Sequence, residues 1–140
     1  MATLVHQNWL NLMLGGGTHT LPDFDGDNID ASLLDQTDSG TISASTSVDY
    51  ADVNGATVVA TADVSVASIS AGVVTLSGAV TFSSVTGDAA DYLAVWKNSG
   101  TPSTSPLIIT WDSASTGLPV TPNGGDIVAT WGSNTLVTLA

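Results

Sequence analysis

The segment Asp23-Phe24-Asp25-Gly26-Asp27 has the spacing that most directly suggests chemistry. Carboxylates two residues apart can turn toward one centre, and oxygen ligands suit Ca²⁺. The helical calcium loop that the segment resembles is not completed, because Asn28 stands where that loop needs glycine and Leu34 where it needs glutamate. Two interpretations stay open. One is a solvated acidic turn, which we favour; the other is a calcium site whose ligands are Asp23, Asp25 and Asp27.

The only histidines are His6 and His19, and the chain contains no cysteine and no glutamate. A zinc site needs three or four ligands, which this pair does not supply. We therefore predict no metal site. Both histidines are expected to be exposed, where they would titrate near pH ~6.5 and could tune a contact.

Arrangements suited to catalysis are scarce in this sequence. No GxSxG motif is present, and the nearest imitation, Ser83-Ser84-Val85-Thr86-Gly87, has no histidine on the scaffold that would carry it. Aspartates can act as an acid and a base, but nothing in the spacing places two of them in one pocket. The sequence predicts no catalytic residue, no cofactor and no enzymatic activity.

Three tryptophans end runs of alternating apolar residues: Trp96, Trp111 and Trp131. Exposed in a row, they would form a platform on which sugars stack. Large aromatic side chains also fill and seal the core of a small sandwich, which is the interpretation we favour.

Charge restricts the partners that this chain can bind. The 140 residues carry thirteen aspartates against the single basic residue Lys97, for a formal charge of −12. Such a chain cannot neutralise phosphates, so we expect no nucleic-acid binding and no binding to anionic membranes. No apolar run is long enough to span a bilayer, and the first residues lack the positive region of a signal peptide. We expect synthesis in the cytoplasm.

Residues 1–22 are predicted to form an N-terminal arm or short helix. Trp9, Leu12 and Met13 have the i, i+3, i+4 spacing of a helix face, and the glycines at 15–17 would end that helix. Residues 15–21 would then act as a hinge.

Residues 23–140 are predicted to form a single all-β domain. Glutamate and arginine are absent, whereas Val, Ile and Thr favour strands and Asp, Ser and Gly favour turns. Alternation predicts one inward and one outward face for each strand. Residues 37–52 read as a loop or loose edge, and 113–125 as a crossover between sheets. The predicted strands are 29–35, 57–62, 64–69, 73–76, 80–85, 92–97, 107–112, 127–131 and 136–139. Their number and spacing favour a sandwich or jelly roll.

Several strings resemble a family of small virion proteins of tailed bacteriophages. They are NIDASLLD at 28–35, AVTFSSVTGDAADYL at 79–93, TSPLI at 104–108 and TGLPVTPNGGDI at 116–127. They occur in the family's order and are followed by a tryptophan-containing strand. The last string is specific, because its combination of turn prolines and glycines is unusual.

The resemblance implies a capsid cement, or decoration, protein with a jelly-roll-like antiparallel β-sandwich and a short N-terminal helix or arm. Such a protein binds the outer surface of a phage head built from a different major capsid protein, and the family brings no catalytic residues. The expected partners are the major capsid protein and further copies of this chain, as a dimer or trimer. The expected location is the outer surface of the virion.

The sequence leaves two alternative functions open: a β module that binds carbohydrate or a host surface, and a tail or connector component. For the cement protein we predict that the apolar N-terminal segment contacts the shell; the alternative is that this segment only caps the chain's own core. Deleting residues 1–16 would then release the protein while leaving the sandwich folded. The predicted partner contacts are Trp9, Leu10, Leu12 and Leu14.

Overall fold

The computed structural model describes residues 3–14, 19–35, 42, 47–53, 58–112 and 117–138, with the backbone alone for residues 3–5, 7 and 8. The described elements are β1 (Thr3–Val5), α1 (Gln7–Met13), β2 (Ile29–Leu34), β3 (Val58–Asp63), β4 (Val66–Ser70), β5 (Val73–Leu76), β6 (Val80–Phe82), β7 (Tyr92–Lys97), β8 (Leu107–Trp111), β9 (Ile127–Ala129) and β10 (Thr135–Thr138). Short 3-10 turns occupy Tyr50–Asp52, Pro102–Thr104 and Gly132–Asn134.

The strands of the described residues form three antiparallel sheets. A five-stranded sheet has the order β1-β8-β7-β2-β3, a three-stranded sheet the order β10-β5-β4, and β6 pairs with β9. Neighbours such as β1 and β8 lie far apart in the chain, as in jelly rolls. The predicted all-β, jelly-roll-like antiparallel sandwich with a short N-terminal helix is confirmed. The predicted crossover at 113–125 agrees with the placement of β8 and β9 in different sheets, and its residues 113–116 lie outside the described residues.

One face of the five-stranded sheet forms the main core against the two smaller sheets. Every second residue of β2 and β7 points into this core, as alternation predicts. Its buried members include Ile29, Ala31, Leu33, Leu93 and Val95 from the large sheet, and Val74, Leu76, Phe82 and Leu136 from the smaller ones. Burying one large apolar side chain contributes roughly 1.5–3 kcal/mol, so this layer is the main source of stability.

The opposite face of the large sheet is also buried, which corrects the prediction of one outward face for each strand. Every residue of β2 and of β7 is buried. Ile42 and the 47–53 segment cover this face, with Tyr50 and Val53 packed against Leu34, Tyr92, Ala94, Trp96 and Leu107. The described part of the predicted loose loop at 37–52 is thus a second layer of core, and the rest of that loop lies outside the described residues.

A polar network lies inside this second layer and is centred on Ser32. The Trp96 indole N–H donates a 3.0 Å hydrogen bond to Ser32 Oγ, which also contacts Tyr50 Oη at 3.0 Å and Thr61 Oγ1 at 2.8 Å. The Tyr50 and Trp96 rings stack with centroids 3.7 Å apart. One small hydroxyl therefore satisfies three neighbours on different elements, and buried polar groups are costly without such partners.

The N-terminal segment is built into the sandwich. Residues 3–5, which were predicted to belong to the arm, form the edge strand β1 and pair with β8 in the register Thr3↔Trp111 to Val5↔Ile109. Of the two predicted alternatives, arm or helix, the structure has the helix α1. Residues 15–18 of the predicted hinge lie outside the described residues.

The β4–β5 hairpin shows how local chemistry fixes one connection. Ser70 pairs with Val73 across a two-residue turn in which Ala71 and Gly72 both have positive φ, at 49° and 78°. Such turns match the right-handed twist of the strands, and glycine adopts this conformation without steric cost.

Replacing the shared hydroxyl, Ser32→Ala, is expected to lower the free energy of unfolding by about 1–3 kcal/mol, because it leaves buried donors without their partner. Urea denaturation followed by circular dichroism measures this loss. Ser70→Ala, on the exposed strand β4, is the matched control and is expected to change stability by less than about 0.5 kcal/mol. A Ser32→Ala variant as stable as the control would contradict the role of the network.

Candidate functional site

Lys97 is the only lysine or arginine of the chain, and it is committed to an internal contact. Its side chain is buried, and Nζ lies 2.7 Å from Asp27 Oδ2. Nζ also donates to Thr20 Oγ1 at 2.8 Å and to the Leu21 carbonyl at 3.4 Å. These contacts fasten the 20–27 segment to the end of β7. The surface therefore offers carboxylates without a lysine or arginine to balance them.

The aspartate-rich turn, which is the candidate calcium loop, is held together by hydrogen bonds between its own residues. The Asp23 N–H donates to Asp27 Oδ2 at 2.7 Å, and the Asp25 N–H donates to Asp23 Oδ1 at 3.1 Å. The carboxylates of Asp23 and Asp27 thus serve backbone donors and Lys97, as in an acidic turn. Within the described residues, no group of three or more His, Cys, Asp or Glu side chains is placed to hold a metal ion.

The Lys97–Asp27 pair changes how Asp27 titrates. Partial burial by itself would raise the pKa of Asp27, but the hydrogen bonds from Lys97 and from the Asp23 N–H, together with the lysine charge, lower it below its usual value. A carboxyl group with a lowered pKa stabilises the fold above its unfolded-state pKa, and that contribution is lost as the pH falls through the folded-state pKa.

His6 is fully buried, which corrects the prediction that both histidines are exposed. Nδ1 lies 2.8 Å from the Ser47 carbonyl oxygen and Nε2 lies 3.2 Å from Thr110 Oγ1. Because a carbonyl only accepts, Nδ1 carries the proton and Nε2 of the neutral ring accepts from Thr110. Burial lowers the pKa of His6, opposed by the hydrogen bond to Ser47. His6 thus joins β1, β8 and the 47–53 segment.

His19 is also engaged with this chain. Its Nε2 lies 2.9 Å from Asp49 Oδ1, and both side chains are largely covered. Burial raises the pKa of Asp49, the charge of His19 opposes this, and Asp52 adds to it. Together with His6, this contact holds the 47–53 segment against the sandwich. Neither histidine is the free, solvent-facing group that the sequence predicted.

Asp30 is a buried carboxyl group on β2. Its Oδ2 accepts a 2.7 Å hydrogen bond from Asn98 Nδ2, and Asp63 stands opposite it on β3. Burial raises the pKa of Asp30, the Asn98 bond opposes this, and Asp63 adds to it. Its stabilising contribution is therefore present at low pH and is lost as the pH rises through the folded-state pKa.

The four predicted partner contacts divide into two pairs. Trp9 and Leu12 are only 2% and 4% exposed because they pack into this chain's own core, which leaves little of either side chain for contact with a partner. Leu10 is 36% exposed and Leu14 is 87% exposed, which leaves both free to contact another surface. A helix that packs on a sheet buries one side and presents the other, so spacing alone could not divide these residues.

The exposed residues of α1 belong to a larger apolar surface. Met13 follows Leu10 by one helical turn and lies with Leu21 and Ile69 beside a shallow apolar cleft of about 260 Å³. We call the exposed residues Leu10, Met13, Leu14, Leu21 and Ile69 the N-terminal patch. Leu21 and Ile69 are not among the contact residues predicted from the sequence, because only the fold brings a loop and β4 next to the helix. Contiguous exposed apolar surface of this kind typically marks an interaction site.

The three tryptophans do not form one row. Trp96 is buried in the second layer, on the far side of the sheet from the main core. Trp111 and Trp131 are partly buried and meet edge to face, with centroids 5.7 Å apart at 64°. Both line an open groove of about 780 Å³, whose other lining residues include those of β9, several from the 117–126 segment before it, and Leu33 and Leu93 of the large sheet. The core-filling interpretation thus holds for Trp96, whereas Trp111 and Trp131 each combine packing with exposure.

No protein-family model matches the chain, and no curated protein matches it. Among the described residues, no helix has the length and apolar character needed to cross a bilayer.

Replacing the buried cation, Lys97→Met, is expected to lower the free energy of unfolding by about 1–3 kcal/mol, because charged hydrogen bonds to Asp27 and Thr20 are lost. Urea denaturation at neutral pH measures this. The variant is also expected to lose less stability than the wild type on acidification below about pH 4, since the lysine no longer lowers the pKa of Asp27. Equal stability and equal acid sensitivity of the two proteins would contradict the predicted role of the pair.

The buried His6 is expected to make the fold sensitive to mild acid. Because the pKa of His6 is lowered in the folded state, its contribution to the free energy of unfolding is complete above the ordinary pKa of histidine. That contribution is lost as the pH falls below the ordinary pKa, by up to about 1.4 kcal/mol per pH unit. Denaturation between about pH 7.5 and pH 5 measures the slope. His6→Asn is expected to flatten it, with His19→Asn as the comparison. A wild-type slope in His6→Asn would refute the assignment.

Proposed function

We propose that this protein is a capsid decoration protein, which binds the outer surface of a phage head and stabilises the shell of major capsid protein. The family resemblance of four strings across the chain supports this, and the N-terminal patch is the structural observation that carries it. A protein that binds the assembled shell and not its free subunits stabilises the shell by mass action. Such work needs a rigid body and a contact surface, and no reacting group.

The N-terminal patch is the proposed contact with the shell. Leu14 is the most exposed of its members, and Leu10 and Met13 extend the same side of α1. Trp9 and Leu12 hold the other side of the helix in the core, so the patch is presented in a fixed position. A preorganised apolar surface loses little conformational freedom on binding, which favours affinity.

Charge supports attachment to the outside of a head. With a formal charge of −12, the protein is repelled by packaged DNA. Because Lys97 is bound to Asp27, no lysine or arginine is left to attract phosphate. The partner surface is therefore expected to be neutral or basic around an apolar centre.

The edge strand β4 supports the proposal that copies of the chain associate. Four of its five residues are exposed, and none of them is charged. Free edges without lysine or proline invite pairing with a further strand. Ile69 belongs both to this edge and to the N-terminal patch, so pairing of β4 would bring two patches close together.

A tail or connector role differs from decoration in copy number. Hundreds of copies per particle, located over the head by particle imaging, are expected for a decoration protein. A dozen or fewer copies at one vertex would refute decoration and support the alternative.

The shell contact is tested by placing charge in the patch. Leu14→Asp and Leu10→Asp are expected to reduce occupancy on purified heads by at least about tenfold, because an aspartate cannot be desolvated there without a partner. Quantitative gel analysis of sedimented heads measures occupancy. Deleting residues 1–16 is not a clean test, since it removes β1 from its sheet and Trp9 from the core, contrary to the expectation drawn from sequence.

Val128→Asp is the matched control, because Val128 is 54% exposed on β9 and lies outside the patch. It is expected to leave occupancy unchanged. Melting temperatures of all variants verify that the fold is intact. Full occupancy of the Leu14→Asp variant would exclude the patch as the shell contact.

A further inference from the structure

The groove beside Trp111 and Trp131 is a second surface with the features of a ligand site. Its volume of about 780 Å³ lies within the range of small-molecule pockets, and it shares no lining residue with the apolar cleft beside the N-terminal patch. Its apolar base includes Leu33 and Leu93 of the central strands, which are fixed by the main core. The proposed contact with the shell does not use this groove.

The two indoles provide flat apolar surface inside the groove. Each is packed against the core on one part of its ring system and exposed on another, and their edge-to-face contact fixes the angle between them. Rigid aromatic surface costs little conformational entropy when a ligand covers it. A flat ligand with a C–H face fits such a surface.

Polar groups at the rim are already oriented. Asp126 Oδ1 accepts a 2.9 Å hydrogen bond from the Ser84 N–H, and Asn123 Oδ1 accepts one of 3.0 Å from the Gly125 N–H. Each bond uses one oxygen and fixes its side chain, and both residues line the groove. Thr121 and Thr130 add hydroxyl groups to the lining. Apolar walls with a few placed polar groups are typical of specific pockets.

Charge decides which ligand suits the groove. The only lysine, Lys97, is paired with Asp27, and Asp126 lines the groove, so an anionic ligand is disfavoured. A purely apolar ligand would leave the oriented rim groups without partners. A pyranose ring meets both demands, because its C–H face packs on an indole while its hydroxyls bond carboxylate, amide and threonine groups.

We propose that the groove binds an uncharged oligosaccharide, with pyranose rings packed against Trp131 and Trp111 and hydroxyls bonded to Asp126 and Asn123. On a particle that displays many copies, even a weak site of this kind holds a glycan-bearing surface through multivalency. This inference does not depend on attachment to a capsid, because the groove belongs to the isolated chain.

The test uses the purified full-length protein and a panel of neutral oligosaccharides, namely maltotriose, cellotriose and N-acetylated chitotriose, with sialyllactose as the anionic probe. Tryptophan fluorescence and calorimetry measure binding. Saturable binding of at least one neutral sugar is expected, with none for sialyllactose. Trp131→Ala is expected to weaken binding by at least about tenfold and Asp126→Asn by a smaller factor.

Trp96→Phe is the matched control, since it removes an indole from the buried second layer and is expected to leave affinity unchanged. Trp131→Phe keeps an aromatic surface in case Trp131→Ala does not fold, and it is expected to retain part of the affinity. Absence of binding to every neutral probe up to about 10 mM would overturn the proposal. Wild-type affinity in the folded Trp131→Ala variant, or a preference of the wild type for sialyllactose, would also overturn it. If Trp131→Ala instead abolished self-association of the protein, the groove would be an interface between copies and the proposal would be wrong.

Discussion

Strands β2 and β7 lie at the centre of the large sheet with both faces buried, and the rest of the described structure is arranged to cover them. One face needs the two smaller sheets, and the other needs the 47–53 segment and Ile42. The contacts of His6 and His19 hold that segment in place. A small chain thus obtains two apolar layers from one sheet, and the second layer is exposed if the 47–53 segment detaches.

The polar groups trapped by this arrangement give it specificity. Ser32 satisfies Trp96, Tyr50 and Thr61 at once, and His6 can satisfy both of its ring nitrogens only in one tautomer. A different packing of these elements would leave the buried polar groups without hydrogen-bond partners, which costs free energy inside a protein. The same burial makes mild acid unfavourable for His6, while the raised pKa of Asp30 acts in the opposite direction.

Because the only lysine is paired with Asp27, the surface has no lysine or arginine available to attract an anionic partner. Without lysine or arginine on the outside, attraction to nucleic acid or anionic lipid is replaced by repulsion. Binding must then come from apolar contact and from hydrogen bonds that need no lysine or arginine of this chain. The N-terminal patch offers the first, and the tryptophan groove offers both. The two proposed activities therefore follow from one charge pattern and use separate residues.

Composition and alternation determined the all-β class, the strands 73–76 and 92–97, and the crossover after β8, because these depend on residue type and on period-2 burial within short segments. Charge likewise limited the partners, since net charge follows from composition and is the same for any fold. Tertiary structure alone decided that residues 3–5 are a strand, that His6 and Lys97 are buried, and that Leu10 and Leu14 face outward while Trp9 and Leu12 do not. It also joined Leu21 and Ile69 to the N-terminal patch and separated Trp96 from Trp111 and Trp131. These outcomes depend on contacts between residues far apart in the chain, such as His6 with Thr110 and Ser32 with Trp96, and local sequence does not encode the distances between them.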